Sequence, residues 1–213
     1  MSNILFYIDI IGPAVVLLTF LVAGKKLSGE LKLVFWFCLT QVVCNAFATY
    51  LASMAISNYF IYKINTVASL IILLILFGKY LLHFTKRQYI ITIAVVVLII
   101  FPTFFGEGIK SYNSYSASLS SLIIVLLCVI FFYTKLVRSS PQESMPAKAI
   151  FWCVVGFFVY YAGTFFIFMS YKFLIETDIK SIGILWKFHN LLLLIACLSI
   201  SYGVLCKDYR PIS

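Results

Sequence analysis

Seven stretches of almost unbroken apolar residues set the pattern of this chain, at 3–23, 31–54, 59–82, 89–105, 114–136, 149–171 and 182–206. Polar residues and turn formers collect in the short segments between them. At 1.5 Å per residue, each stretch is long enough to cross the roughly 30 Å of hydrocarbon in a bilayer. The pattern therefore predicts an all-α membrane protein with seven transmembrane helices forming one domain over 1–213, and no soluble domain.

Within these stretches the polar positions repeat at helical spacing. Gln41, Asn45 and Thr49 stand at i, i+4 and i+8, Asn65 and Ser69 are four apart, and Ser114, Ser118 and Ser121 follow the same rule. Trp152, Gly156, Tyr160 and Gly163 form a stripe in the sixth stretch, with Tyr161 and Thr164 beside it. Residues three and four apart share a helix face, so each set either hydrogen-bonds to a neighbouring helix as packing glue or lines a cavity. Asp9 is a carboxylate inside the first span, and Gly12-Pro13 one turn later predicts a kink beside it, because proline removes a backbone donor and clashes with the preceding turn. The last span opens with Lys187, His189 and Asn190. Ionisable groups in hydrocarbon cost a few kcal/mol unless partnered, which makes them candidates for function.

Counting inward at 1.5 Å per residue brings Asp9, Thr49, Asn65, Ser118, Thr164, His189 and Asn190 to a shared depth of about 8 to 12 Å below one face. Together with Tyr161 and Lys187 they form the expected ligand-binding layer, a polar pocket open to the outer face. A closed ring of helices would bring the seventh beside the first, so that Asp9 pairs with Lys187 or His189. The fourth stretch has no strongly polar interior residue and is expected to face lipid over much of its surface.

Composition and charge sharpen this picture. The chain is 63% hydrophobic and 11% charged, whereas soluble domains carry about 25% charged residues. Of 16 Lys and Arg, eleven fall on one side of the expected spans (Lys25, Lys26, Lys32, Lys79, Lys86, Arg87, Lys135, Arg138, Lys148, Lys207 and Arg210). Five fall on the other (Lys63, Lys110, Lys172, Lys180 and Lys187), partly offset by Glu107, Glu176 and Asp178. Basic residues accumulate on the cytoplasmic side, so the N-terminus is expected outside and the C-terminus inside. Lys25 and Lys26 follow the first apolar stretch instead of preceding it, the wrong polarity for a cleaved leader. The net charge of +9 then reports topology and contact with the lipid bilayer, and nothing supports nucleic-acid binding. The cysteines, all within spans, give no disulfide framework, and no metal-ligand spacing or cofactor motif occurs.

Three segments carry a resemblance: Tyr112 to Tyr115, the aromatic run from Ile150 to Phe168, and Trp186 to Asn190 with its apolar continuation. In them the chain resembles a family of small seven-helix membrane proteins of Bacteroidota. The resemblance implies a bacterial inner-membrane, multi-pass location, a histidine in the last helix, here His189, and a sensory role beside a separate cytoplasmic histidine kinase. Family members often carry an acidic residue in the third span where this chain has Ser69, which counts against a proton relay.

The expected function is therefore that of a non-enzymatic, receptor-like membrane sensor, with an unknown small ligand bound at the outer face and a shift relayed to a cytoplasmic partner. The alternative is a small-solute transporter, although Pro13 has no counterpart in the fifth span, against the internal symmetry such proteins carry. A retinal protein would need a lysine deeper than Lys187 and an acid in the third span. Intramembrane hydrolysis finds no GxSxG or HExxH sequence.

Overall fold

A computed structural model of the protein describes residues 7–24, 28–101, 114–137, 148–177 and 179–206. These residues form seven helices and no strand: α1 (Ile8–Ala23), α2 (Gly29–Ser53), α3 (Tyr59–Ile75, continued by a π-helical turn over Leu76–Leu81), α4 (Lys86–Phe101), α5 (Ser114–Phe132, continued by a π-helical turn over Tyr133–Val137), α6 (Ala149–Thr177) and α7 (Ile179–Leu205). Five of them, α2, α3, α5, α6 and α7, contain segments of 23 to 25 residues that are long and apolar enough to cross a membrane, the mark of a multi-pass membrane protein. α1 is a shorter apolar helix of 16 residues, about 24 Å long at 1.5 Å per residue. α4 also has 16 residues, but opens with Lys86, Arg87 and Gln88. The basic residues Lys25, Lys26, Lys110, Arg138, Lys207 and Arg210 and the acids Glu107 and Asp178 lie outside the described residues, as do the side chains of Lys172, Glu176 and Lys180.

The chain order closes on itself. α1 packs against α2, α2 against α3, α5 against α6 and α6 most extensively against α7, while α7 returns to α1 and α3 touches α5. Six helices thus make a ring, and α4 lies outside it against α3 and α5. Ile90, Ile93, Val97, Leu98 and Phe101 on α4 are exposed.

Polarity is distributed the reverse of a soluble bundle. Large apolar side chains such as Leu21, Val22, Trp36, Phe166, Met169 and Leu198 point outward, forming a belt that water would penalise and hydrocarbon accepts. Gln41, Asn45, Ser69, Ser121, Thr164, His189 and Asn190 are buried within the ring. Below them an apolar core continues through Phe37, Leu73, Phe77, Cys128, Phe131, Cys153, Phe157 and Ile200, with Phe37 and Phe157 meeting edge to face at 5.1 Å.

Small residues set how closely α7 approaches its neighbours. A Cβ at Gly156 of α6 would stand 2.8 Å from the Ala196 carbonyl oxygen, and one at Gly203 of α7 would stand 2.6 Å from the Ala149 carbonyl oxygen. A Cβ at Gly12 of α1 would lie 3.1 Å from Cys197 Sγ. Without water to drive helices together, membrane bundles gain from such backbone approach through dispersion contacts. Gly156→Val is therefore expected to destabilise the protein by about 1–3 kcal/mol through overpacking, lowering the melting temperature in detergent. Gly183→Ala, where the new methyl meets nothing within 4 Å, is expected to leave it unchanged or raise it slightly.

Candidate functional site

The site begins with a backbone problem. Pro13 lies inside α1 and supplies no N–H to the carbonyl four residues earlier, that of Asp9. In a bilayer interior an unmet carbonyl costs several kcal/mol unless a neighbouring helix answers it. Asn45 of α2 does so, its Nδ2 donating to the Asp9 carbonyl oxygen at 3.0 Å. This bond fixes Asn45 beside the first turn of α1, where the Asp9 side chain is itself buried.

One turn away from Asn45 along α2, Gln41 reaches α3. Gln41 Nε2 donates to Asn65 Oδ1 at 3.2 Å and to Ser69 Oγ at 2.7 Å, and Asn65 Nδ2 returns a bond to Gln41 Oε1 at 3.0 Å. Ser69 Oγ donates in turn to Asn65 Oδ1 at 3.3 Å. The two amides and the hydroxyl therefore satisfy one another across the α2–α3 contact, forming a rigid wall.

The opposite wall comes from α6 and α7. His189 Nε2 shares a hydrogen bond of 3.4 Å with the Tyr160 hydroxyl. The His189 ring is stacked on Trp186 at 5.0 Å between centroids and tilted against Phe168 at 5.6 Å. Trp186 meets Tyr62 of α3 edge to face at 6.2 Å. Thr164 Oγ1 donates to the Tyr160 carbonyl, so this hydroxyl is turned back on its own helix.

Between the walls lies a cavity of about 60 Å³, enough for a few waters or a small ligand. Its polar lining comes from Asp9 on α1, Gln41 and Asn45 on α2, Tyr62, Asn65, Thr66 and Ser69 on α3, Ser120 and Ser121 on α5, Tyr160, Tyr161 and Thr164 on α6, and Trp186 and His189 on α7. All six ring helices contribute. The lining falls in the first halves of α1, α3, α5 and α7 and in the middle and second half of α2 and α6, so the cavity lies toward the end of the bundle where α1 begins. Of the residues that line the cavity, three carry a buried atom with no hydrogen-bond partner among the described residues: Asp9 Oδ1, Ser120 Oγ and His189 Nδ1.

Of the residues expected to bind ligand, Asp9, Asn65, Tyr161, Thr164 and His189 line this cavity. Thr49 is half-buried on α2 and is not part of the lining. Ser118 is buried, but its hydroxyl donates to the Ser114 carbonyl at 2.8 Å within α5. Asn190 is buried in the α7 interface outside the lining. Lys187 is exposed, because the 100° step per residue of an α-helix turns it about 200° away from His189. No ion pair joins Asp9 to Lys187 among the described residues; Asp9 shares the cavity with His189. Among the lining residues not expected to bind ligand, Gln41, Asn45 and Ser69 belong to the same polar stripes, and Trp186 stands one turn before His189. Spacing of three and four residues from the expected positions was the signal that marked them.

Among the described residues no group of three or more His, Cys, Asp or Glu converges as a metal site would require. The chain matches no family model, no curated protein and no solved structure.

The Pro13–Asn45 relation gives a direct test. Asn45→Leu is expected to destabilise the protein by about 1 kcal/mol, within the range of interhelical bonds in membranes. In a Pro13→Ala background α1 supplies its own donor to Asp9, and the same substitution is expected to lose most of its cost. A double-mutant cycle of thermal unfolding in detergent measures the coupling.

Proposed function

We propose that this protein is a non-enzymatic integral membrane receptor that binds a small polar ligand in the cavity between its ring helices. Seven spans carry the N-terminus outside and the C-terminus inside, the arrangement that the bias of Lys and Arg between the two sides favours. The cavity then opens toward the outer face of a bacterial inner membrane. Binding shifts the ring helices, and a separate cytoplasmic partner, a histidine kinase in the simplest arrangement, reads the shift at the basic inner ends.

One observation carries this reading: a carboxylate oxygen, a hydroxyl and an imidazole nitrogen on three helices, α1, α5 and α7, belong to residues that line one small cavity and have no hydrogen-bond partner among the described residues. A buried polar atom left unmet costs about 1–3 kcal/mol, and proteins retain such groups where water or a ligand answers them. The amides on α2 and α3 satisfy each other and need nothing further. Binding is favoured over nucleophilic catalysis because the hydrogen bond of His189 goes to the phenol of Tyr160 and not to a serine or cysteine it might activate.

Ser120→Leu tests the reading. The Ser120 hydroxyl makes no hydrogen bond among the described residues, so its replacement removes no bond while filling the cavity. The expected result is a melting temperature kept or raised by a few degrees, with loss of any stabilisation that small polar solutes give the parent protein in nanodiscs. Retention of that stabilisation would exclude the cavity as the binding site.

A further inference from the structure

We infer that the ligand of this cavity is a small organic ammonium ion, held by the Asp9 carboxylate among aromatic rings. The inference rests on the receptor reading above and gives the site a ligand class. Its first ground is charge. Asp9 is the one carboxylate among the described lining residues, and no Lys or Arg stands among them. Lys187 is exposed, and Lys63, though buried in α3, is not part of the lining.

Asp9 is only 8% exposed, and its Oδ1 has no hydrogen-bond partner among the described residues. A carboxylate in so dry a place needs a counter-charge or a proton, and a donor-rich cation supplies the charge and the missing hydrogen bond together. Asp9 also belongs to the first turn of α1, where the partial positive charge of the helix end stabilises an acidic side chain. The carboxylate is thus held in place before a ligand arrives.

The second ground is the rest of the wall. Tyr62, Tyr160, Phe168 and Trp186 all line the cavity. Aromatic faces attract ammonium ions, tryptophan most strongly, and clusters of such rings are how proteins recognise alkylated ammonium groups. A bare metal ion would find one carboxylate here, and the amide oxygens of Gln41 and Asn65 already accept hydrogen bonds within the wall, a poor oxygen set for its coordination. His189, 6% exposed with Nδ1 lacking a partner among the described residues, offers a second hydrogen-bonding point for a hydroxyl on the far end of the ligand. About 60 Å³ restricts the ligand to a few non-hydrogen atoms, the size of ethanolammonium.

The test uses the full chain in lipid nanodiscs, with calorimetry and thermal unfolding as readouts. Methylammonium, ethylammonium and ethanolammonium are the probes, and sodium, acetate and acetamide are the contrasts. Ethanolammonium is expected to bind, Asp9→Asn to weaken it on the order of a hundredfold as a buried ion pair loses one member, and Trp186→Leu to weaken it about fivefold. Asp9→Asn preserves the side-chain shape and leaves the Asp9 backbone carbonyl for Asn45. Should that variant still fail to fold, the losses at Trp186→Leu and at the cavity-filling Ser120→Leu decide the question. Equal amine affinity in the parent and in Asp9→Asn overturns the inference, as does sodium binding in place of the amines. Binding of acetamide or acetate alone, abolished by Ser120→Leu, overturns the cation while sparing the receptor reading. Binding of no probe overturns the inference and removes the support for the receptor reading with it.

Discussion

Backbone donors and acceptors inside a membrane have no water to fall back on, and the bond from Asn45 to the Asp9 carbonyl shows that constraint at work. Pro13 breaks the hydrogen-bond ladder of α1 at one position, and a side chain from α2 completes it. The repair has consequences beyond one bond. It ties α1 to α2 at the level of Asp9, and Gln41, one turn away on the same face of α2, is in register with Asn65 and Ser69 on α3. Three consecutive helices are thereby locked at a common height, and the polar half of the ring is built on that lock.

The other half of the ring is positioned by shape. Gly156 and Gly203 bring α6 and α7 into backbone contact, which sets the Tyr160 hydroxyl and the His189 ring within reach of one another. Gly12 brings α7 against α1 in the same way. The α2–α3 wall is made of polar groups that satisfy each other, and the α6–α7 wall of rings that pack edge to face and stacked. The groups left over, on α1, α5 and α7, border the space between these walls. Hydrogen bonds fix one side, close packing fixes the other, and the unanswered chemistry collects where the two meet.

The helical class and the apolar exterior were legible in the sequence, as was the place of each polar residue along its own helix, because run length and residue rise fix position along a helix axis. Rotation about the axis was not, and this separates the residues that line the cavity from those that do not. Thr49 and Ser118 have suitable depths, but Thr49 is turned off the cavity and Ser118 spends its hydroxyl on its own helix. Lys187 and His189 are two residues apart and therefore on nearly opposite faces. Gln41 and Ser69 stand on polar stripes that read either as packing glue or as cavity lining, and with Asn65 they serve as both. A stripe of polar residues shows that a face is polar; which helix it meets depends on ring closure, which no local pattern encodes.

The position of the unanswered groups bears on how occupancy of the cavity would be felt elsewhere. α1 and α7 are neighbours, but α5 is separated from them by α6 on one side and by α2 and α3 on the other. A ligand that reaches Asp9, His189 and Ser120 together therefore spans the ring and draws non-adjacent helices toward one another. Ligands shift an equilibrium only by their unequal affinity for its states, and a ligand bridging across a ring distinguishes a tight ring from a loose one more strongly than one held by a single helix pair. The direct α3–α5 contact is slight beside that of α6 with α7, so the ring has one weak seam. The Asn45 and Gln41 bonds hold α1, α2 and α3 together on one side of that seam, and close packing joins α5 to α6 on the other. The end of α5 away from the cavity continues into the π-helical turn over Tyr133–Val137, which carries Lys135, and π-helical turns are frequent where helices serve function.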